Sequence, residues 1–306
     1  MIAKRQGPFR HLYTVGAILG GALFLNQVYS TILVVIAQSW ALKHLGLTLL
    51  GMLIVLAATV LQIGAWRAIM KALGTQLDWI SSLRAYTLPF VSRYIPGTVW
   101  GYLSRSHWLK EHHGTAPGLT NLGAVIEVIS LIGSSALVAC AIGLVLGDQL
   151  VAGLGAAGLL LVILGLAVFQ SVKTQKQFRP WIERLDGGAL YDDLRVRTVI
   201  VALPWHIGLW VGYGAVVWLM IGMVSAWPLE ALPIAIAAYA LAWLAGFLVV
   251  LLPAGFGLRE LGLAFLLTRA LGLPSEAAAT VAVFSRAQIL FAELACIVLG
   301  LLPRWR

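Results

Sequence analysis

Residues 118–146, GLTNLGAVIEVISLIGSSALVACAIGLVL, and residues 149–170, QLVAGLGAAGLLLVILGLAVFQ, are separated only by Gly147 and Asp148, and Glu127 is the sole charged residue in either run. A helix of about 20 apolar residues crosses the hydrocarbon of a bilayer. Lipid offers no partner for unpaired backbone groups, so such runs must be helical. The two stretches therefore read as antiparallel spans joined by the turn Gly147-Asp148-Gln149, which carries no basic residue.

Comparable runs occur at residues 46–66, 198–223, 229–252 and 276–302. Overall, 60% of the 306 residues are apolar and 11% are charged, against roughly 45–50% and 25% in soluble domains. The expected fold is all-α, a polytopic integral membrane bundle of about six to eight spans. The net charge of +9 does not indicate nucleic acid, because the 21 basic residues sit mainly between the apolar runs, where they set topology. Lys4, Arg5 and Arg10 precede a further apolar stretch without a convincing cleavage site, so residues 13–37 are expected to form an uncleaved first span. Cys140 and Cys296 lie inside predicted spans, in no metal-ligand pattern, and read as packing residues.

Charge placement suggests an orientation. With a cytoplasmic N-terminus, Arg67, Lys71 and Arg84 fall inside, as do Lys173, Lys176, Arg179, Arg184, Arg195 and Arg197 of the 171–197 loop and the terminal Arg304 and Arg306. A multi-pass protein of the cytoplasmic (inner) membrane is expected. Trp40, Trp66, Trp79, Trp181, Trp227 and Trp305 fall near predicted span ends, where an aromatic belt belongs.

Two stretches resist this count: residues 80–110, broken at Pro96-Gly97, and residues 231–272, broken at Pro253-Ala254-Gly255. Each reads as two helical arms meeting at an interruption, either a re-entrant hairpin or a kinked helix or loop. The interruptions recur at a near-constant offset. Ala85-Tyr86-Thr87-Leu88 resembles Ala238-Tyr239-Ala240-Leu241, Pro96 matches Pro253, Gly101 matches Gly257, Pro117 matches Pro274, and Ala139-Cys140 matches Ala295-Cys296. Residues 46–146 and 198–302 are thus expected to be repeats, inverted under the topology above. Paired Gly/Pro breaks in inverted repeats point to a transporter's binding site.

Candidate binding residues cluster at the breaks: Arg93, Tyr94, Pro96, Gly97, Trp100 and Arg105 at the first, Gly255, Gly257, Arg259 and Glu260 at the second. Pro96 removes a backbone donor and Gly97 allows a turn, freeing polar groups to face a ligand. An arginine grips phosphate in bidentate fashion and keeps its charge; alternatively Arg93 and Arg105 snorkel to the interface. Gly255 and Gly257 open a helix whose N-terminus could receive a phosphate, or Arg259 and Glu260 form an internal ion pair. Glu127, Arg286 and Glu293 are ionisable residues within spans, functional by default. Glu127 and Arg286 are expected to neutralise each other between the repeats, or Glu127 to titrate and couple transport to protons; a purely structural buried pair is the alternative.

Enzyme signals are poor. His107, Glu111, His112 and His113 lack a third ligand on a shared face, Asp192 and Asp193 have no nucleotide-binding context, and no Walker loop or Gly-x-Ser-x-Gly elbow is present. No cofactor or metal is expected.

Arg93-Tyr94-Ile95-Pro96-Gly97-Thr98-Val99-Trp100, Leu252-Pro253-Ala254-Gly255-Phe256-Gly257-Leu258-Arg259-Glu260 and Ala282-Val283-Phe284-Ser285-Arg286, in this order, resemble the lysylphosphatidylglycerol synthase transmembrane family, also described as flippase-like. The resemblance spans about residues 10–302. It implies translocation of a lipid, classically an aminoacylated phospholipid, across a bacterial or archaeal cytoplasmic membrane. Relatives beside polysaccharide, glycolipid and hopanoid pathways leave the cargo open. Synthases of the family append a soluble aminoacyl-transferase domain, and with the chain ending at Arg306 aminoacyl transfer is not expected. The leading expectation is a translocase for an anionic or lipid-linked headgroup. The alternatives are a membrane-embedded transferase acting on a lipid or lipid-linked glycan, or an assembly subunit of an envelope glycan pathway. The expected partner is thus a membrane lipid or lipid-linked glycan, with a homo-oligomer or a pathway partner enzyme left open.

Overall fold

The computed structural model describes Asn26, Tyr29 and residues 44–94, 100–174, 196–225, 229–249, 255 and 257–302. The remainder of the expected 13–37 span, Pro96, Gly97, Pro253, Ala254, residues 175–195 with Asp192 and Asp193, Trp40, Trp181, Trp227, Trp305 and the terminal arginines lie outside the described residues. Arg93 and Tyr94 are described in their backbone only.

Among the described residues all regular structure is helical. The order is α1 (Leu45–Ala72), α2 (Trp79–Thr87) continued by a 3-10 segment (Leu88–Tyr94), α3 (Trp100–His113), α4 (Pro117–Leu146), α5 (Gln149–Thr174), α6 (Val196–Ile200), α7 (Leu203–Val224), α8 (Ala231–Leu248), α9 (Leu258–Leu271) and α10 (Ser275–Leu301). Among the described residues, six stretches are long and apolar enough to cross a membrane: α1, α4, α5 through Val168, Thr198–Val224, α8 and α10. The polytopic helical bundle is therefore as expected. α2, α3 and α9 are shorter, and they adjoin the two Pro/Gly interruptions.

The turn between α4 and α5 follows from its residues. Pro117 sits at the first turn of α4, where its missing N–H costs nothing. Gly147 ends that helix at φ 69°, a left-handed conformation natural to glycine. Asp148 Oδ1 then accepts from the N–H groups of Leu150 and Val151 at 3.0 and 3.1 Å, capping α5. The Val151 N–H holds the Asp148 carboxyl below the usual carboxylate range, with the Arg269 guanidinium adding to it.

Small residues let α4 and α5 approach closely. A Cβ on Gly143 would stand 2.3 Å from the Ala152 nitrogen, and one on Gly155 would stand 2.4 Å from the Cys140 nitrogen. Lipid gives no hydrophobic drive for helix association, so such backbone proximity supplies the packing. The Cys140 backbone lies in that seam.

Contacts fix which helix ends lie together. Gly123, near the start of α4, packs on Met70, near the end of α1. Trp205, at the start of α7, packs on Gly64 of α1. Arg84 of α2 donates to the Leu302 carbonyl at the end of α10. At the opposite end, Arg269 near the α9 C-terminus pairs with Asp148 at 3.1 Å. The α2–α3 arms thus begin and end at the Arg84 end, beside the end of α1 and the start of α4. The α8–α9 arms begin after α7 and finish at the Asp148 end.

The aromatic belt needs one correction. Trp79 is 45% exposed, with the Arg67 guanidinium 4.8 Å from its ring centre, as an interfacial residue should be. Trp66 is fully buried instead. The reason is helix length: α1 continues to Ala72, beyond the expected end at residue 66, and carries Trp66 inside the bundle.

Candidate functional site: a central cavity with two arginine–tyrosine stacks

The α2–α3 and α8–α9 arms meet around a cavity of about 130 Å³. Gln62 of α1 and Leu131 of α4 both line it, and at about 1.5 Å per helical residue this places it about 15–20 Å from the Arg84 end. That is mid-depth for a membrane helix. Its wall combines Arg105, Arg259, Arg286 and Glu293 with Tyr86, Tyr102, Trp210, Tyr213, Tyr239, Trp243 and Phe247. Charges at this depth are costly and mark functional pathways.

Arg105 is only 2% exposed. The idea that it snorkels to the interface is therefore excluded, because α3 points the side chain into the bundle. Its guanidinium carbon lies 4.1 Å from the Tyr86 ring centre, 4.8 Å from Trp66 and 5.5 Å from Tyr102. These aromatic faces attract the cation where water is excluded. Arg105 Nη1 also donates to Glu127 Oε2 at 2.6 Å, and the Tyr86 hydroxyl donates to Glu127 Oε1. Both oxygens of this fully buried carboxylate are thereby used. Glu127 pairs with Arg105 and not with Arg286, correcting the expected partnership. The matching positions in the expected repeats did not bring Glu127 and Arg286 together, whereas α3 folds directly onto α4.

The second half repeats part of this design. Arg259 lies with its guanidinium carbon 4.6 Å from the Tyr239 ring centre. Tyr86 and Tyr239 are 153 positions apart, and Arg105 and Arg259 are 154 apart. Each half therefore contributes one tyrosine from its first arm and one arginine from its second arm to the same cavity. Among the described residues Arg259 makes no hydrogen bond or ion pair, unlike Arg105. Glu260 caps its own helix: Oε2 accepts from the Gly257 N–H at 2.7 Å, while Oε1 lies 3.8 Å from Arg286 Nε. The amide expected to meet a phosphate is thus already bonded, and Glu260 turns to Arg286 in place of its neighbour Arg259.

Gly255 has a direct role in this geometry. Its φ is 70°, and a Cβ there would stand 3.0 Å from the Gly246 backbone, so the end of α8 and the start of α9 pass almost in contact. Gly257 has φ 81° with open space around it. Trp100 starts α3. Arg93, Tyr94, Pro96 and Gly97 fall where side chains are not described, so the first break contributes Gly101, Tyr102 and Arg105 to the cavity as described. Arg286 and Glu293 stand on the α10 face that borders it.

A polar stripe on α4 continues from Glu127. Ser130 Oγ bonds His206 Nδ1 at 2.9 Å, and Trp210 Nε1 donates to Ser134 Oγ at 2.9 Å. His206 is fully buried, and its Nε2 has no hydrogen-bond partner. Neither His206 nor the two tyrosines stood out in the sequence. The tyrosines were visible only as part of the repeat alignment, and the histidine had no spacing signal. His107 pairs with Glu111 at 3.2 Å on an exposed face, and no metal-holding cluster occurs among the described residues.

No curated protein matches this chain. Residues 14–296 match the family model described as Lysylphosphatidylglycerol synthase TM region, nearly the whole length of the sequence, and the chain belongs to that family.

Proposed function

We propose that the protein is a lipid translocase that passes an anionic headgroup through the central cavity while the acyl chains stay in the bilayer. The observation that carries this reading is the pair of arginine–tyrosine stacks facing one mid-depth cavity from two broken helical arms. The α2–α3 arms open at the Arg84 end and the α8–α9 arms at the Asp148 end, which supports reading both as re-entrant hairpins of inverted repeats. Alternating access then follows from rocking one half against the other around a fixed site.

The halves differ in charge state. Arg105 is committed to Glu127, whereas among the described residues Arg259 has an aromatic face and no ion pair. A phosphate can therefore dock on Arg259 without first breaking an ion pair, with Arg286 on the same wall. In the resting cavity Arg105 is the second station. Membership of this family supports a lipid cargo. The Arg84 end, with Arg67 and Lys71 nearby, is the cytoplasmic side by the positive-inside rule.

The test is flip rate in proteoliposomes holding a fluorescent phosphatidylglycerol, read by quenching with impermeant dithionite. Arg259→Gln should slow flipping at least about tenfold, a loss of about 1.4 kcal/mol at the transition state. An unchanged rate would overturn the assignment. A transferase using Glu127 as base has little geometric support, because Tyr86 and Arg105 occupy both its oxygens. A new lipid product from the purified protein would revive it.

A further inference from the structure

Among the described residues, Arg105, Arg259, Arg286 and Glu293 line the cavity, and Glu127 and Glu260 stand behind it against Arg105 and Arg286, three arginines to three glutamates. With all six ionised, the formal sum is zero. A monoanionic headgroup entering this space makes the sum −1, in a region where uncompensated charge is expensive. One proton taken by a carboxylate restores neutrality.

We propose that headgroup binding is coupled to the uptake of one proton by Glu127, which rests on the translocase reading above. Glu127 is singled out because Arg105 faces both it and the cavity. An anion that engages Arg105 competes directly for the donor that Glu127 uses, and the displaced carboxylate has no exposure to water. Protonation converts it to a neutral group still bonded to Tyr86. Arg105 Nε, buried and without a partner, is a further donor for the anion. Glu260 keeps its bond to the Gly257 amide, and its side chain is 16% exposed.

The surrounding groups fit this exchange. Tyr86 approaches Glu127 from α2, Arg105 from α3 and His206 from α7 beside Ser130 on the same α4 face. Arg67 of α1 is turned to the Leu77 carbonyl at 2.7 Å, and Lys71 is exposed. α8 contributes only the hydroxyl of Tyr239, α5 has no ionisable residue before Lys173, and the Arg197 side chain of α6 lies outside the described residues. His206, buried at mid-depth beside Ser130 with Nε2 unpartnered, is the titratable group that continues the polar stripe from Glu127 and is assigned the relay of the proton. The proton, taken up from solvent, ends on a Glu127 oxygen, and the Arg105 hydrogen bond passes from Glu127 to the phosphate.

The probe is dioctanoyl phosphatidylglycerol, whose phosphodiester stays monoanionic from pH 5.5 to 8, so any pH dependence belongs to the protein. Calorimetric binding to the purified full chain in two buffers of different protonation enthalpy should show uptake of about one proton per lipid. Affinity should fall close to tenfold per pH unit as pH rises. Glu127→Gln should bind without proton uptake and without pH dependence. Binding with no proton uptake in the native chain overturns the coupling and leaves the translocase reading standing, whereas no binding at any pH overturns both. This native measurement decides the matter even if the variant does not fold. A pH dependence that survives Glu127→Gln and vanishes in His206→Gln overturns the assignment to Glu127.

Discussion

Removing Glu127 should expose how much of this fold depends on one ion pair. Arg105 and Glu127 have side chains only 2% and 1% exposed, joined at 2.6 Å, with Tyr86 on the second carboxylate oxygen. Glu127→Leu leaves a buried guanidinium supported by aromatic faces, each contributing about 0.5–2 kcal/mol. Breaking one side of a buried pair costs about 3–5 kcal/mol, because the remaining charge is uncompensated. The expected destabilisation is therefore about 3 kcal/mol or more. Arg105→Met, which strands the carboxylate, should cost a similar amount. The double variant Arg105→Met with Glu127→Leu should recover to within about 1 kcal/mol of the native protein, since a buried pair and an apolar pair of similar volume are often near-equivalent. Reversible unfolding in mixed detergent–SDS micelles gives all three values, with Trp66 beside Arg105 as part of the near-ultraviolet signal. A loss below about 1 kcal/mol for Glu127→Leu, or strictly additive single effects, would refute the reasoning.

Other consequences can be measured separately. Gly155→Ala forces a Cβ to 2.4 Å from the Cys140 backbone nitrogen and should cost about 1–3 kcal/mol by the same unfolding assay; Gly165→Ala, with open space around it, should be neutral or slightly stabilising. Asp148→Ala should lower the melting temperature at pH 7 by removing a helix cap, a change of about 1 kcal/mol, while Asp148→Asn should cost less because an acceptor remains. Because the folded-state Asp148 carboxyl lies below its ordinary 3.8, its ionic contribution is present above that value and lost as pH falls through the depressed one. The gap between native and Asp148→Asn melting temperatures should accordingly close below about pH 3.8 and remain constant between pH 5 and 8. In a background with Cys140 and Cys296 replaced by alanine, an impermeant maleimide should label Asp148→Cys from outside intact cells and Leu302→Cys only after permeabilisation. Labelling of both from one side would contradict the inverted arrangement of the two arms.

The spans were legible because the solvent is a bilayer. A run such as residues 118–146 can bury its backbone groups only as helix, so length and apolarity determined α4, α5 and their tight turn without knowledge of any neighbour. The same applies to the family, carried by blocks such as Leu252 to Glu260 that are contiguous in sequence. The repeat offset even brought Tyr86 and Tyr239 into register before any contact was known. Periodicity gave the extent of α1 less well, because the helix runs on past Trp66 through residues that are not strongly apolar.

Only the tertiary structure decided which charges meet. Glu127 could be assigned a cationic partner from its cost in lipid, but Arg105, Arg259 and Arg286 were equally plausible donors on that ground. The choice of Arg105 depends on α3 folding onto α4, and the freedom of Arg259 depends on Glu260 turning back to cap its own helix. Such pairings arise between residues 22 positions apart in one case and from a local cap in the other. Their energies depend on distance and burial, quantities that the order of residues along a helix does not specify.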